Sequence, residues 1–144
     1  MSFRWRIVLP LTLGAAPWSS ACVIPGLSHE VTFAPGSAVL SARDVKSVAA
    51  WYVDLRDGPF GIADLSVSAY STKGGQADLA LSKARVAAVA DLMTTLTSTH
   101  PVPLDSDVLG TSAAKAQAFP EVRISAQPQC AATHSCCGAD PNVR

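Results

Sequence analysis

The sequence lacks an excess of charge of either sign and, beyond its first residues, any long apolar run. Its 144 residues include 11 basic and 11 acidic side chains. A chain without an excess of basic residues lacks the positive charge that binding to nucleic-acid phosphates requires. No later segment reaches the roughly 20 apolar residues that cross a bilayer. These absences argue against a nucleic-acid-binding protein and against a membrane-spanning helix beyond the start of the chain.

The sequence also lacks the residue patterns of an enzyme or a cofactor site. Its three histidines, His29, His100 and His134, fall in a predicted linker, a loop and a tail, where none has a catalytic partner. The segment at residues 73–75, Lys-Gly-Gly, lacks the length and the Lys-Ser/Thr ending of a phosphate-binding loop. We therefore predict a non-enzymatic protein without a cofactor.

The first 21 residues have the three parts of a secretory signal peptide. Arg4 and Arg6 give a basic start, residues 7–16 are mostly apolar, and small residues occupy positions 19–21 before a cleavage point. The alternatives are a permanent membrane span and a buried first helix, and the short run interrupted by Pro10 disfavours both. Cleavage leaves 123 of the 144 residues, the size of one domain, with nine basic against 11 acidic side chains.

Cys22, the first residue after this leader, is a candidate for lipidation. Residues 19–22 read Ser-Ser-Ala-Cys and resemble the lipobox of bacterial lipoproteins, although lipoboxes usually have an aliphatic residue where this chain has Ser19. Ordinary cleavage after Ala21 gives the same first residue without lipid, but leaves an exposed thiol in an oxidising compartment. We expect an outer-membrane lipoprotein that faces the periplasm, with a soluble periplasmic protein as the alternative.

The other cysteines, Cys130, Cys136 and Cys137, lie close together in the final segment. Adjacent cysteines form a disulfide only with a distorted peptide, so the spacing predicts a bond between Cys130 and one of the other two. With His134 they could instead hold zinc or copper, but the spacing matches no standard zinc signature and export favours disulfides. We predict no metal site.

Hydrophobic periodicity and turn signals predict elements in the order β-α-β-α-β-β. This order is typical of a two-layer α/β (α+β) sandwich, a mixed sheet with two helices on one face. The predicted elements are a strand at 31–33, a helix from the Ser41–Asp44 capping box to 57, a strand at 63–71, a helix at 77–96, and strands at 107–110 and 121–125. The predicted organisation is a signal peptide at 1–21, an anchor and linker at 22–30, a domain at 31–126, and a flexible tail at 127–144.

Four segments resemble, in order, motifs of the OmpA-like peptidoglycan-binding domain, and together they span about residues 31–126. The resemblance implies a non-enzymatic domain of the cell envelope that binds peptidoglycan. The segments are 33–40 for "F…GSA.L", 65–71 for the strand "V.V.GHTD", 78–89 for "N..LS..RA..V", and 108–110 for the late strand "V.G.G".

The resemblance also implies a site for the diaminopimelate of a peptidoglycan stem peptide, which carries a carboxylate and an ammonium. In the family an Arg on the second helix binds the carboxylate in two-pronged fashion, and an Asp after the second strand binds the ammonium. Arg85 stands at the arginine position, and Ser82 belongs to the same motif. At the aspartate position, aligning the strand gives Thr72 and counting back from Arg85 gives Tyr70, and neither is anionic.

Asp78 is the candidate replacement for the missing carboxylate. It precedes Arg85 by seven residues, about two helical turns or roughly 10 Å along the axis, which places both on one helix face. Alternatively, Asp78 interacts with the helix dipole and Arg85 is an ordinary surface cation. Residues 118–121 also differ from the family's "NRR". We expect a lipoprotein that associates with peptidoglycan or, as the alternative, an interaction module for an unknown envelope protein that kept the fold and lost the ligand.

Overall fold

The computed structural model describes residues 27–72, 76–111, 122–132 and 136, and its elements follow the predicted order with one short helix added. The strands are β1 Ser28–Val31, β2 Asp64–Thr72, β3 Leu104–Thr111 and β4 Val122–Gln127. The helices are α1 Ala42–Arg56, α2 Gln76–Leu96 and α3 Gln129–Ala132.

Helix α1 begins at the predicted capping box. The main-chain N–H of Asp44 donates to the Ser41 hydroxyl oxygen across 3.1 Å, and that hydroxyl donates to the Asp44 carboxylate. The pair satisfies a main-chain donor that the first turn leaves without a helical partner. At the other end Asp57 is the C-cap and Gly58 follows, its N–H bonded to the carbonyl oxygen of Leu55. Local sequence therefore sets both ends of α1.

The strands of the described chain form one mixed sheet in the order β1-β4-β2-β3. β2 and β3 are parallel and joined through α2, whereas β4 is antiparallel to both of its neighbours. The carboxyl ends of β1, β2 and β3 therefore lie at one end of the sheet, which we call the upper end. The lower end carries Ser28, which pairs with Ser125, and Asp64, which pairs with Gln127.

The core lies between one face of the sheet and the two long helices. Val48 and Tyr52 of α1, and Val89 and Met93 of α2, are at most 2% exposed. Burial of each such side chain stabilises the fold by about 1.5–3 kcal/mol relative to leaving it in water. The strand side chains of this core are Val31, Leu65, Val67, Ala69, Val122, Ile124 and Ala126. The two-layer mixed sandwich predicted from the sequence is therefore confirmed.

Strand β1 lies earlier than predicted, at Ser28–Val31 instead of 31–33. Three residues expected in the linker thus pair with β4. His29 accounts for the difference: its ring lies 5.6 Å from that of Trp51, and its Nε2 is 3.3 Å from the Ser47 hydroxyl. His29 packs on α1 and lies two residues before the buried Val31, so both side chains are on the same face of β1. The covered face of the strand therefore begins at His29, before the first aliphatic residue.

The beginning of the predicted flexible tail is ordered, because β4 extends to Gln127, Pro128 is buried and α3 follows. The N–H of Gln129 donates to the carbonyl oxygen of Phe60 across 3.1 Å. A disulfide joins Cys130 to Cys136. The segment 127–132 is therefore part of the domain although it contributes few apolar side chains. In the ranges that the structure describes, no helix is both long and apolar enough to cross a membrane.

Candidate functional site

Arg85 of α2 lies at the upper end of the sheet, with its guanidinium directed at the connection between β1 and α1. Its Nε donates to the carbonyl oxygen of Ser37 across 2.7 Å, and its Nη2 donates to that of Ala34 across 3.1 Å. Its Cζ lies 5.2 Å from the centroid of the Phe33 ring. Only 8% of the residue is exposed. Arg85 is therefore not the surface cation of the alternative interpretation.

The turn at residues 34–37 presents these carbonyl oxygens. The N–H of Ser37 donates to the carbonyl oxygen of Ala34 across 3.0 Å, and Pro35 and Gly36 occupy the two central positions. The φ of Gly36 is +71°, a left-handed conformation that a side chain disfavours. Proline first and a positive-φ glycine second is the type II pattern. The family-like "Pro-Gly-Ser" segment thus builds the acceptor side of the site.

The environment of Arg85 is polar, and two main-chain carbonyl oxygens belong to it. A guanidinium has five N–H donors and stays protonated in proteins, and the two carbonyl oxygens accept from two of those donors on one edge. Carbonyl oxygens solvate a cation without cancelling its charge, and the face of Phe33 adds a favourable cation–π contact. The upper end of the domain therefore contains the nearly buried Arg85 guanidinium in a fixed position.

Two buried hydroxyl groups accompany this charge at the same end of the fold. Ser82 is 7% exposed and lies three residues before Arg85, on the same helix face. Ser71 is 3% exposed and is the next-to-last residue of β2. Sequence reasoning had selected Ser82 but not Ser71. The signal for Ser71 was the period-two pattern of Leu65, Val67 and Ala69, which continues to position 71 on the covered face.

Comparisons with known proteins find similarity to solved structures. No family model matches the chain, and no curated protein does. Among solved structures, the chain is similar to the OmpA-like domain of FopA1 from Francisella tularensis subsp. tularensis SCHU S4, with a TM-score of 0.50 and 22% sequence identity over 74% of this chain and 80% of that one. The chain has an OmpA-like fold. The resemblance predicted from the sequence motifs is thus confirmed at the level of the fold.

Within this OmpA-like fold, the two candidates for the aspartate position are neighbours at the end of β2. Tyr70 pairs with Leu109 and Thr72 with Thr111 in the parallel ladder. Tyr70 is half-buried and belongs to the face of β2 opposite Ser71, because side chains alternate along a strand. That Tyr70 or Thr72 takes part in ligand binding stays a prediction.

Asp78 lies in the first turn of α2 and is exposed, two turns before the buried Arg85. It is therefore close to the positive end of the helix dipole, as the alternative interpretation expects. That Asp78 and Arg85 flank one ligand stays a prediction.

The cysteine and metal predictions fall partly outside the described residues. The disulfide uses Cys130 and Cys136, whereas Cys22, Cys137 and His134 lie outside them. Across residues 27–72, 76–111, 122–132 and 136, no group of three or more His, Cys, Asp or Glu side chains is placed to hold a metal ion. The lipidation of Cys22 likewise stays a prediction.

Proposed function

We propose that this chain is a non-enzymatic protein of the cell envelope that associates with peptidoglycan through its OmpA-like domain. The observation that carries the proposal is the nearly buried, charged guanidinium of Arg85, held on this fold by the carbonyl oxygens of Ala34 and Ser37. Domains with this fold generally act as binding modules, not as enzymes. A cation fixed in this way is prepared for an anion without further loss of side-chain freedom.

The ligand in this proposal is the diaminopimelate of a stem peptide. Its carboxylate is received by the Arg85 guanidinium, and its ammonium by Asp78 at the mouth of the site. The hydroxyl groups of Ser71 and Ser82 provide neutral hydrogen-bonding partners between them. In this arrangement Asp78 supplies the negative charge that Thr72 and Tyr70 do not.

Sedimentation of the full chain with purified peptidoglycan tests the proposal. The unmodified chain should co-sediment, and Arg85→Ala should weaken binding by about tenfold or more, the loss expected for a charge-assisted contact. Arg43→Ala is the matched control, since Arg43 is an exposed arginine of α1, and it should bind as the unmodified chain does. A chain that stays in the supernatant, or equal retention of Arg85→Ala, contradicts the proposal.

The second candidate function is an interaction module of an envelope assembly that kept the OmpA-like fold and lost the ligand. The burial of Arg85 and its two bonds to the 34–37 turn favour it, because both give the arginine a structural role. Thr72→Asp discriminates the two functions. If the unmodified chain does not bind peptidoglycan and Thr72→Asp does, the inherited site is vestigial and the second function holds.

The proposed location is the outer membrane, with a lipid on Cys22, a linker, and the domain in the periplasm; a soluble periplasmic protein is the alternative. The mass of the protein purified from an exporting bacterial host distinguishes them. A chain that begins at Cys22 with the added mass of a diacylglyceryl group supports the anchor. The same first residue without added mass supports the soluble form.

A further inference from the structure

A second groove lies between α2 and the edge strand β3, apart from the Arg85 site. Lys83 is two residues before Arg85, and residues two apart on a helix project in different directions. Arg85 is thus directed at the β1–α1 turn and Lys83 at β3. The groove has a volume of about 260 Å³ and is lined by Lys83, Val86, Ala87, Ser106, Asp107 and Val108.

The groove combines an apolar floor with a lysine from the helix and an aspartate from the strand edge. Val86 is 5% exposed and Val108 is half-buried, so the floor is formed by aliphatic groups. Lys83 is exposed on the helix side and Asp107 on the strand side. In the described part of the chain no ion pair joins these two residues. Each charge therefore remains available to a ligand.

The carboxylate of Asp107 is fixed in position by the main chain. Its Oδ1 accepts a hydrogen bond from the N–H of Val108 across 2.7 Å. The carbonyl oxygen of Pro103 accepts from the N–H of Leu65, so residue 103 directs its main-chain groups toward β2. Alternate residues of a strand direct these groups to opposite sides, so the N–H of Val108 points away from β2, to the open side of β3. Val108 pairs with the buried Ala69 and Asp107 with Ser68, so the Asp107 side chain leaves the strand on the face away from α2. The bond to Val108 holds its carboxylate at the open edge of β3, beside the groove.

We propose that this groove binds a small zwitterion of the amino-acid type. The ligand's ammonium lies against Asp107, its carboxylate against Lys83, and a small apolar side chain against Val86 and Val108. The volume is below the roughly 300–1,000 Å³ of sites for drug-sized ligands, which selects a ligand of only a few heavy atoms. This site is independent of peptidoglycan binding at Arg85.

Titration of the full chain with alanine, followed by the main-chain amide signals in NMR spectra, tests the proposal. Alanine should shift the signals of Ser106, Asp107 and Ala87, with a dissociation constant of about 1 mM or weaker for so small a ligand. Acetate and ethylammonium, each with one of the two charges, should shift them less at equal concentration. Equal shifts with acetate alone would mean simple anion binding and would overturn the proposal.

Variants sharpen the test. Lys83→Gln and Asp107→Asn should each weaken alanine binding by about threefold to fivefold, the contribution of one exposed charge pair. Asp107→Asn retains an oxygen for the Val108 N–H, and the same spectra show that each variant is folded. Asp105→Asn is the matched control, because Asp105 accepts from the Ser106 N–H across 2.9 Å but does not line the groove. No shift with alanine, or an equal loss in Asp105→Asn, refutes the site.

The peptidoglycan proposal and the alanine proposal can be refuted independently of each other. Arg85→Ala should leave alanine binding unchanged, and Lys83→Gln should leave peptidoglycan binding unchanged. Loss of both activities in either variant would show that the two sites are not independent.

Discussion

The guanidinium Nε of Arg85 and the carbonyl oxygen of Ser37 lie 2.7 Å apart, although 48 residues separate them along the chain. The bond ties the connection before α1 to the third turn of α2. Helix α1 and helix α2 belong to different halves of the sequence, so this contact joins them at the upper end of the sheet. The arginine that the family motif assigns to ligand binding therefore also stabilises the fold.

Removal of this side chain should destabilise the domain. Arg85→Ala should lower the free energy of unfolding by about 2–4 kcal/mol, because two hydrogen bonds from a charged donor are lost and two carbonyl oxygens lose a partner. Arg85→Lys keeps the charge but not the forked geometry, so its free energy of unfolding should lie between those of the unmodified chain and Arg85→Ala. Urea unfolding measures the change, with Arg43→Ala as a control expected within about 0.5 kcal/mol of the unmodified chain. An unchanged free energy of unfolding in Arg85→Ala would mean that the turn at residues 34–37 is held by its own hydrogen bonds.

The open edge of β3 is protected by two aspartates. The N–H groups of Ser106 and Val108 donate to the carboxylates of Asp105 and Asp107, across 2.9 and 2.7 Å. Both donors lie on the side of β3 that has no neighbouring strand among the described residues, where an unsatisfied N–H would attract a strand of another molecule. The double substitution Asp105→Ala with Asp107→Ala should therefore promote self-association, measured by light scattering.

The matched control for this prediction removes two exposed aspartates from the helices, Asp54→Ala with Asp91→Ala. It changes the net charge equally but leaves the strand edge intact. Equal self-association in the two double variants would attribute the effect to charge and not to the edge.

The disulfide between Cys130 and Cys136 should control the order of the C-terminal segment. Reduction, or Cys130→Ser with Cys136→Ser, should speed amide hydrogen exchange at Gln129 and Ala131, whose N–H groups donate to Phe60 and Pro128. The closed loop is short, so the loss of global stability should be at most about 2 kcal/mol. Exchange mass spectrometry makes the measurement, and Cys22→Ser should change neither quantity. Global unfolding on reduction would contradict this prediction.

At the end of α1, Arg56 should lower the pKa of the adjacent Asp57 carboxyl. Hydrogen bonds from Nε and Nη2 of Arg56, at 2.7 and 3.0 Å, lower the pKa of the Asp57 carboxyl from its ordinary value of 3.8. A lowered folded-state pKa stabilises the protein above the unfolded-state value, and this stabilisation is lost as pH falls through the folded-state pKa. Both side chains are substantially exposed, so the effect on stability is small.

The measurement for this pair is a carbon-13 NMR titration of the Asp57 carboxyl. Arg56→Gln should return its pKa toward 3.8. His100 also lowers that pKa, but by a smaller electrostatic effect, so His100→Gln should move it less. A larger shift in His100→Gln than in Arg56→Gln would reverse this order.

Long periodic segments were predictable from the sequence. The capping box fixed the start of α1 at Ser41, and the alternation of Leu65, Val67 and Ala69 identified β2 and its covered face. Such patterns repeat over several residues, so one substitution does not obscure them. β1 was misplaced because it is four residues long and includes His29, whose packing on Trp51 no local pattern reveals.

Half of the candidate site was predictable from motifs. Arg85 and Ser82 were selected as candidates because they lie in a helical motif, and the structure shows that both are buried on one helix face. The bonds of Arg85 to the 34–37 turn were not predictable, because they join residues about 50 positions apart. The ordered segment 127–132 was missed for the same reason, since the carbonyl oxygen of Phe60 that accepts from Gln129 is distant in sequence.

The antiparallel pairing of β1 with β4 sets how the domain responds to force. The chain enters β1 at Ser28, at the lower end of the sheet, whereas Arg85 is held at the upper end, near the end of β1. A pull between the entry point and a ligand at Arg85 runs parallel to the strands, and the ladder hydrogen bonds lie perpendicular to them. The β1–β4 bonds are then loaded in shear and must break together. As a tether, the domain would resist extension through all of the β1–β4 hydrogen bonds at once, because these bonds would not break one after another.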